Sequence, residues 1–165
     1  MAGASVYLDT NVFIYAFENN NAVARKLLEL FSLNTETKPP FLATSEFTLA
    51  ELMVDPFRKN DERLVDIYDN LTIGNSFVQV GAVSRDVLWN AALLRAQHAP
   101  LRLPDAIHLS TAMLFGCSHF LTGDSGLKTS YSIASSRRMQ PQSAGQIAII
   151  RPEITVLDQL VRELS

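Results

Sequence analysis

The stretch Val6-Tyr7-Leu8-Asp9-Thr10-Asn11 decides the fold, because an apolar run of strand length ends there in a carboxylate. The stretch His119-Phe120-Leu121-Thr122-Gly123-Asp124 has the same form in the second half of the chain. A carboxylate that directly follows a buried strand is costly to desolvate unless its charge is compensated. We therefore expect two buried strands whose terminal carboxylates share a bound cation.

Three more short apolar runs accompany these two, and the five predicted strands lie at 5–9, 41–44, 76–80, 118–122 and 146–150. They are rich in Val, Ile or Phe without simple alternation, which is typical of strands that are covered on both faces of a parallel sheet. Helical periodicities separate the strands, with helices or apolar helical stripes predicted at 22–31, 46–54, 64–71, 87–94, 104–115 and about 154–164. This alternation indicates an α/β fold in which right-handed crossovers place helices on both faces of the sheet.

The bulk composition is that of one ordinary globular domain. The chain has 165 residues, 47% of them hydrophobic, and a net charge of −3, so residues 1–165 are predicted to form a single domain. No apolar run approaches the roughly 18 residues of a membrane span, and the early first strand leaves no room for a signal peptide. A single cysteine, Cys117, fits a reducing compartment. We therefore expect a cytoplasmic protein without membrane contact.

The net charge also bears on the partners of the chain. A negative net charge argues against a large basic surface that binds nucleic acid. It does not exclude a nucleic-acid substrate, because cations bound at an acidic site would offset part of the negative charge.

One segment is longer than the usual connection between elements of a compact domain. Residues 125–145 contain six Ser, two Gly and one Pro, together with the pair Arg137-Arg138. Loops of this length are usually functional or disordered. We predict an extended surface loop over 125–145, with a short helix near 125–132.

Four carboxylates are predicted to converge at one edge of the sheet, namely Asp9, Glu51, Asp105 and Asp124. In open parallel sheets, sites form beyond the carboxyl ends of the strands, where the strand order reverses. If the second and fourth strands flank the first, Asp9 and Asp124 become neighbours at that point. Glu51 lies about two helical turns beyond the second strand and can lean back over the same edge. Asp105 lies in the first turn of its helix, where the helix dipole favours an anion.

The ligand types available at this edge favour a hard cation. The three histidines, His98, His108 and His119, are scattered along the chain, and no Cys or His cluster has the spacing of a zinc site. An all-oxygen set of ligands prefers Mg²⁺ or Mn²⁺. Such an ion can bind a phosphate oxygen, generate hydroxide and stabilise a leaving oxygen. The sequence therefore predicts phosphodiester hydrolysis.

Four motifs carry a family resemblance, and they are Asp9-Thr10-Asn11-Val12-Phe13-Ile14-Tyr15, Thr48-Leu49-Ala50-Glu51-Leu52, Leu103-Pro104-Asp105-Ala106-Ile107-His108-Leu109-Ser110-Thr111-Ala112 and Leu121-Thr122-Gly123-Asp124. In order and spacing they resemble the motifs of PIN-domain ribonucleases, in particular the VapC-type toxins of toxin–antitoxin pairs. The resemblance implies a three-layer α/β/α fold with a central, mainly parallel five-stranded sheet. It further implies a Mg²⁺- or Mn²⁺-dependent endoribonuclease that acts on RNA, is commonly a homodimer, and is blocked by a protein antitoxin.

The same resemblance assigns roles to individual residues. It implies a catalytic and metal-binding quartet formed by Asp9, Glu51, Asp105 and Asp124. It also implies a set of residues that support the quartet by hydrogen bonding, namely Thr10, Asn11 and Thr122. Two basic residues flank the acidic motifs, and we predict that substrate phosphates contact these two, Arg102 and Lys128.

Each of these residues also has a structural interpretation when it is taken singly. Asp9 could cap a helix, and Glu51 could be a solvated helix residue. Asp105 could simply interact favourably with the dipole at the start of its helix, and Asp124 could be a turn residue. We interpret His108, one helical turn beyond Asp105, as a packed or hydrogen-bonded structural histidine. Independent coincidence of four such carboxylates is the less favoured explanation.

Other functions are alternatives to the toxin-like endoribonuclease. Two of them keep the fold: a free-standing RNA-processing PIN nuclease, and a non-catalytic PIN-like module that binds RNA or protein. A phosphoryl-accepting protein is disfavoured, because a haloacid-dehalogenase-like phosphatase would have an aspartate where Asn11 stands. A receiver domain is disfavoured as well, because it would have a lysine where Arg151 follows the last strand.

Overall fold

The structure, a computed structural model, describes residues 6–33, 41–73, 77–134 and 145–165. These ranges contain six strands, Val6–Leu8 (β1), Leu42–Ser45 (β2), Gln79–Gly81 (β3), His119–Leu121 (β4), Ser130–Tyr131 (β5) and Ile147–Ile150 (β6). The same ranges contain eight helices, Thr10–Glu18 (α1), Ala22–Ser32 (α2), Glu46–Leu52 (α3), Val54–Lys59 (α4), Glu62–Thr72 (α5), Arg85–Gln97 (α6), Leu103–Leu114 (α7) and Ile154–Leu164 (α8).

The strands form one sheet in the order β3-β2-β1-β4-β6-β5. β1 pairs in parallel with β2, where Tyr7 lies opposite Ala43, and with β4, where Tyr7 lies opposite Phe120. β3 and β6 extend the sheet in parallel beyond these strands. The chain order therefore reverses at β1, and the carboxyl ends of β1, β2 and β4 meet at the edge where the sequence predicts a site.

The predicted α/β/α fold with a mainly parallel sheet is confirmed, but the predicted number of strands is wrong. A sixth strand, β5, pairs antiparallel with β6, and Ser130 lies opposite Ala148. The helix predicted near 125–132 is also wrong, because turns and bends over 125–129 lead directly into β5. A strand of two residues is too short to show a hydrophobic pattern, so nothing in the sequence indicates it. Positions 135–144 of the predicted loop lie outside the described residues.

Two hydrophobic cores lie on opposite faces of the sheet, because successive side chains of a strand point to opposite sides. Val6 and Leu8 belong to the core that also contains residues of α1, α2, α3, α5 and α8. Tyr7 belongs to the other core, with residues of α6 and α7. Its buried ring stacks on Phe120 with the ring centroids 5.1 Å apart. The helices that carry Glu51 and Asp105 are thus anchored in different cores.

Local sequence signals explain where the helices begin. The side chains of Asp9, Asn21 and Ser45 accept backbone N–H bonds at the first turns of α1, α2 and α3. Pro104 lies in the first turn of α7. Backbone N–H groups in a first turn make no hydrogen bond within the helix, so a proline there costs none. Over the described residues, the helices lack the combined length and apolarity that a membrane crossing requires.

Candidate active site

Asp9 lies at the centre of the predicted edge, directly after β1. As the N-cap of α1, its Oδ1 accepts the backbone N–H of Thr10 over 2.8 Å. Its Oδ2 accepts from Nδ2 of Asn11 over 2.9 Å and from the hydroxyl of Thr122 over 2.6 Å. Asp9 therefore caps the helix and still lines the cavity at the sheet edge. The two interpretations of this residue are compatible.

Asn11 and Thr122 fix the turn that follows β4. Oδ1 of Asn11 accepts the backbone N–H of Gly123 over 2.8 Å, while its Nδ2 also donates to Oγ1 of Thr122 over 3.1 Å. The same Oγ1 accepts the backbone N–H of Asp124 over 3.0 Å. A Cβ atom on Gly123 would lie 2.7 Å from Cε2 of Tyr15, so a larger residue in this turn would force the exposed ring of Tyr15 to move. This network sets the position of Asp124.

Glu51 reaches the same edge from α3. Its Oε2 accepts from the hydroxyl of Thr10 and lies 2.8 Å from Nε2 of His108. Because an ionised carboxylate only accepts, Nε2 must carry the hydrogen, and in a neutral ring Nδ1 then accepts from the hydroxyl of Tyr7 over 2.7 Å. Burial raises the pKa of Glu51, but the hydrogen bonds from His108 and Thr10 outweigh it and hold the pKa below its ordinary value.

Arg102 joins the remaining two carboxylates. Its Nε donates to Oδ2 of Asp105 and its Nη2 donates to Oδ2 of Asp124, each over 2.9 Å. Burial raises the pKa of Asp105; Arg102 opposes this effect, whereas the negative charges of Asp124 and Asp9 add to it. The pKa of Asp105 therefore stays above its ordinary value, because Arg102 does not fully offset the effect of burial and of the neighbouring carboxylates.

The four carboxylate residues line one cavity of about 270 Å³, together with Thr10, Asn11, Ile14, Arg102 and His108. We call this the acidic cavity. In the part of the chain that the structure describes, no three His, Cys, Asp or Glu side chains are already spaced to hold a metal ion together. Instead, the guanidinium of Arg102 lies between Asp105 and Asp124.

The predicted site residues thus lie in one region, with one exception. Thr10 donates a hydrogen bond to Glu51, and Asn11 and Thr122 each donate one to Asp9. Lys128 does not line the acidic cavity. It lies in a neighbouring cavity, and Arg102 lines both.

Two residues contribute to this edge although no role in the site was predicted for them from the sequence. His108 is packed and hydrogen-bonded, in agreement with its structural interpretation from the sequence. Its partner, however, is the site residue Glu51. The one sequence feature that places His108 near the site is its position one helical turn beyond Asp105. Arg151, which follows β6, donates to the carbonyl oxygens of Thr122 over 3.5 Å and Leu127 over 3.2 Å. Only the parallel pairing of β4 with β6 brings Arg151 to this position, so spacing along the chain could not reveal it.

The sequence profile of the PIN domain matches residues 6–130 of this chain. This range is more than half of the protein and contains all four carboxylates of the acidic cavity. The chain therefore belongs to the PIN-domain family. A comparison with curated protein sequences gave no significant match.

Solved structures of toxin–antitoxin proteins share this fold. A toxin–antitoxin complex from Klebsiella pneumoniae is 23% identical with a TM-score of 0.56, over 90% of this chain and 98% of that chain. VapC20 of Mycobacterium tuberculosis, a sarcin–ricin loop-cleaving toxin, is 21% identical with a TM-score of 0.55, over 70% and 87%. VapBC2 from Rickettsia felis, bound to a promoter DNA fragment, is 17% identical with a TM-score of 0.57, over 88% and 97%. At these identities the likeness shows the fold alone.

Proposed function

We propose that this protein is a metal-dependent endoribonuclease that hydrolyses RNA phosphodiester bonds and acts as the toxin of a toxin–antitoxin pair. The observation that carries the proposal is the convergence of Asp9, Glu51, Asp105 and Asp124 on one cavity where the strand order of a PIN-domain sheet reverses. Partly buried carboxylates are unfavourable neighbours unless a cation offsets their charge. Burial raises the pKa of Asp105, and the negative charges of Asp124 and Asp9 add to this effect.

The donors of the acidic cavity fit Mg²⁺ or Mn²⁺ in chemical kind, because they are carboxylate oxygens. Asp9, Asp105 and Asp124 would hold the ion directly or through water, and Glu51 would ligate the ion or orient the attacking water. When bound, the ion supplies Lewis-acid activation of the phosphate and of a water molecule. Such an ion would compete with Arg102 for Asp105 and Asp124, and the side chain of Arg102, 70% exposed, has room to turn away.

The other residues of the site position these groups and bind the substrate. The hydroxyls of Thr10 and Thr122 hold Glu51 and Asp9 in place, and Asn11 links Asp9 to the turn after β4. Arg102 and Lys128 would bind phosphate oxygens of the RNA strand, since guanidinium and ammonium groups are the usual phosphate donors. Phosphate binding by these two side chains does not require that the whole protein surface be basic.

Membership of the PIN family and the fold shared with toxin structures support the toxin proposal. VapC20 cleaves the sarcin–ricin loop and the Klebsiella structure is a toxin–antitoxin complex, so RNA and a protein antitoxin are the substrate and partner that we propose for this chain. A homodimer in the cytoplasm is part of the same proposal. A neighbouring gene for a small DNA-binding protein is the expected genetic context.

The test is cleavage of a pool of structured RNAs by the purified protein, with Mg²⁺, with Mn²⁺ and with EDTA. The variants are Asp9→Asn and Asp124→Asn, and the matched control is Asp86→Asn, an exposed aspartate in the first turn of α6. We expect metal-dependent cleavage that falls at least about a hundredfold in the two site variants and is unchanged in the control. Cleavage that persists in EDTA, or in both folded site variants, would contradict the proposal.

Two other outcomes point to the alternatives. Metal binding and RNA binding without cleavage would favour a non-catalytic PIN-like module. Cleavage by a protein whose gene has no antitoxin gene beside it would favour a free-standing RNA-processing nuclease.

A further inference from the structure

A second cavity, of about 470 Å³, adjoins the acidic cavity and shares Asp105 and Asp124 with it. It lies between the α6–α7 connection and the segment between β4 and β5, and its volume is in the range of small-molecule sites. We call it the side cavity. Its floor is apolar, since it is formed by the buried residues Leu101, Leu127 and Tyr131. Its rim carries two basic side chains, Lys128, with His98 beside it, and Arg102, which pairs with the carboxylates of Asp105 and Asp124 on the same rim.

The ammonium group of Lys128 is held at this rim by a histidine. Nζ of Lys128 lies 3.3 Å from Nδ1 of His98, and Nε2 of His98 lies 3.1 Å from the carbonyl oxygen of Ser132. Because a carbonyl oxygen only accepts, Nε2 carries the hydrogen and Nδ1 is the acceptor for the ammonium group. Among the described residues, no carboxylate pairs with Lys128. Its charge is therefore positioned but not neutralised.

Hydrogen bonds and a ring contact hold the residues that line the side cavity in place. Nε of Arg95 donates to the carbonyl oxygen of Leu101 over 3.2 Å, and Nη2 of Arg151 donates to that of Leu127 over 3.2 Å. The ring of His98 meets Tyr131 edge-on, with the ring centroids 5.1 Å apart. The apolar floor and the histidine that holds Lys128 are thus kept in place without a ligand, which lowers the entropic cost of binding one.

We propose that the side cavity is a nucleotide pocket, which holds the nucleotide next to the scissile phosphate of the RNA strand. The inference rests on the proposed function and names its subsite. A nucleotide fits both parts of the pocket. The apolar face of its base can pack on the floor, and its phosphate can bind Arg102 and Lys128. Because Asp105 and Asp124 form a wall common to both cavities, a nucleotide bound here places the neighbouring phosphate at the acidic cavity.

The first experiment is a titration of the ¹⁵N-labelled full chain in EDTA with each of the four 5′-ribonucleoside monophosphates, followed by amide chemical shifts. We expect saturable shifts at Leu101, Leu127 and Lys128. Ribose 5-phosphate, which lacks the base, should bind about tenfold more weakly, since stacking or packing of one base contributes that much. Absence of shifts at these residues would overturn the proposal. Equal affinity for ribose 5-phosphate would overturn it too, because the site would then bind only an anion.

The second experiment compares Lys128→Gln with Lys59→Gln. Lys59 is exposed, pairs with Asp55 and lies outside the side cavity, so its variant makes the same change in net charge elsewhere. Thermal unfolding establishes that both variants are folded. We expect about tenfold weaker nucleotide binding in Lys128→Gln, from loss of one charge-assisted hydrogen bond, and no change in Lys59→Gln. An equal effect of the two variants would contradict the pocket.

The result is separable from that of the RNA cleavage assay, because nucleotide binding is measured without metal and without turnover. If nucleotides bind in the side cavity and no RNA is cut, the cavity is a nucleotide site, but the nuclease proposal fails and with it the position beside a scissile phosphate. If RNA is cut while nucleotides leave Leu101 and Leu127 unshifted, the nuclease stands and the pocket is rejected.

Discussion

The hydroxyl of Thr122, at the end of β4, donates a hydrogen bond of 2.6 Å to Oδ2 of Asp9, at the end of β1. Both residues are buried, Thr122 at 0% and Asp9 at 8% exposure, so the bond is shielded from water and links the two central strands where their order reverses. The same hydroxyl oxygen accepts the backbone N–H of Asp124. One threonine therefore sets the relative position of two of the four carboxylates.

Replacement of Thr122 tests this link. Thr122→Val keeps the shape but removes the donor to Asp9 and the acceptor for the backbone of Asp124, so we expect a loss of about 1–3 kcal/mol in the free energy of unfolding. Thr122→Ser keeps the hydroxyl and should retain most of this stability. Urea unfolding measures both values. Equal stability of the two variants would show that the hydroxyl contributes nothing beyond its volume.

His108 is expected to act as a positioning residue for Glu51. His108→Leu removes the donor to Glu51 and leaves the hydroxyl of Tyr7 without its acceptor, so kcat for RNA cleavage should fall about tenfold or more with little change in KM. His108→Gln can still place an amide donor near Glu51 and should recover part of kcat. If the leucine variant is folded and fully active, or if glutamine gives no recovery over leucine, this role is excluded.

Arg102 is expected to compete with a divalent ion for Asp105 and Asp124. Its removal in Arg102→Ala frees both carboxylates, so Mn²⁺ affinity should rise about two- to fivefold, the modest effect that an exposed ion pair allows. Arg63→Ala, an exposed arginine on α5, is the matched control and should leave Mn²⁺ affinity unchanged. Calorimetric titration with Mn²⁺ measures both. Weaker Mn²⁺ binding in Arg102→Ala would contradict the competition.

The raised pKa of Asp105 predicts a pH dependence of stability in the metal-free protein. A raised pKa means that folding favours the protonated carboxyl, so this contribution to stability is present below the unfolded pKa and is lost as pH rises through the folded pKa. Glu51, whose pKa is lowered, acts in the opposite sense, and its contribution is lost as pH falls through its folded pKa.

The variant Asp105→Asn isolates the effect of Asp105. Measured in EDTA from about pH 4 to 8, the Tm difference between Asp105→Asn and the wild type should grow in favour of the variant as pH rises. Saturating Mg²⁺ should reduce this difference, because a bound cation compensates the ionised carboxylate. A Tm difference that does not vary with pH would show that Asp105 is not destabilised by ionisation.

The sequence was informative where function coincides with the end of a buried strand. Asp9 and Asp124 each follow an apolar run, and the rule for the switch point of a parallel sheet was enough to predict that they meet. Glu51 and Asp105 could be placed at the same edge because their helices follow from clear local signals, a serine cap and a proline in the first turn. The parallel α/β fold follows from the same regularities.

Several contacts between segments that are distant in the chain were not predictable, because no rule of strand order or local pattern indicates them. The partner of His108 is Glu51, 57 residues away, and Arg151 reaches the site only because β6 pairs with β4. β5 went unpredicted since a pair of residues carries no periodicity. The side cavity likewise depends on how the α6–α7 connection packs against the segment after β4, which no local pattern encodes.

The central claim is that the four carboxylates bind a divalent cation at the end of β1, and Mn²⁺ binding tests it most directly. Calorimetric titration with Mn²⁺ would compare the wild type with Asp9→Asn and with the control Asp86→Asn. We predict saturable binding by the wild type and the control, and at least about tenfold weaker binding by folded Asp9→Asn, since it loses one anionic ligand. No Mn²⁺ binding by the wild type, or equal affinity in Asp9→Asn, would contradict the account.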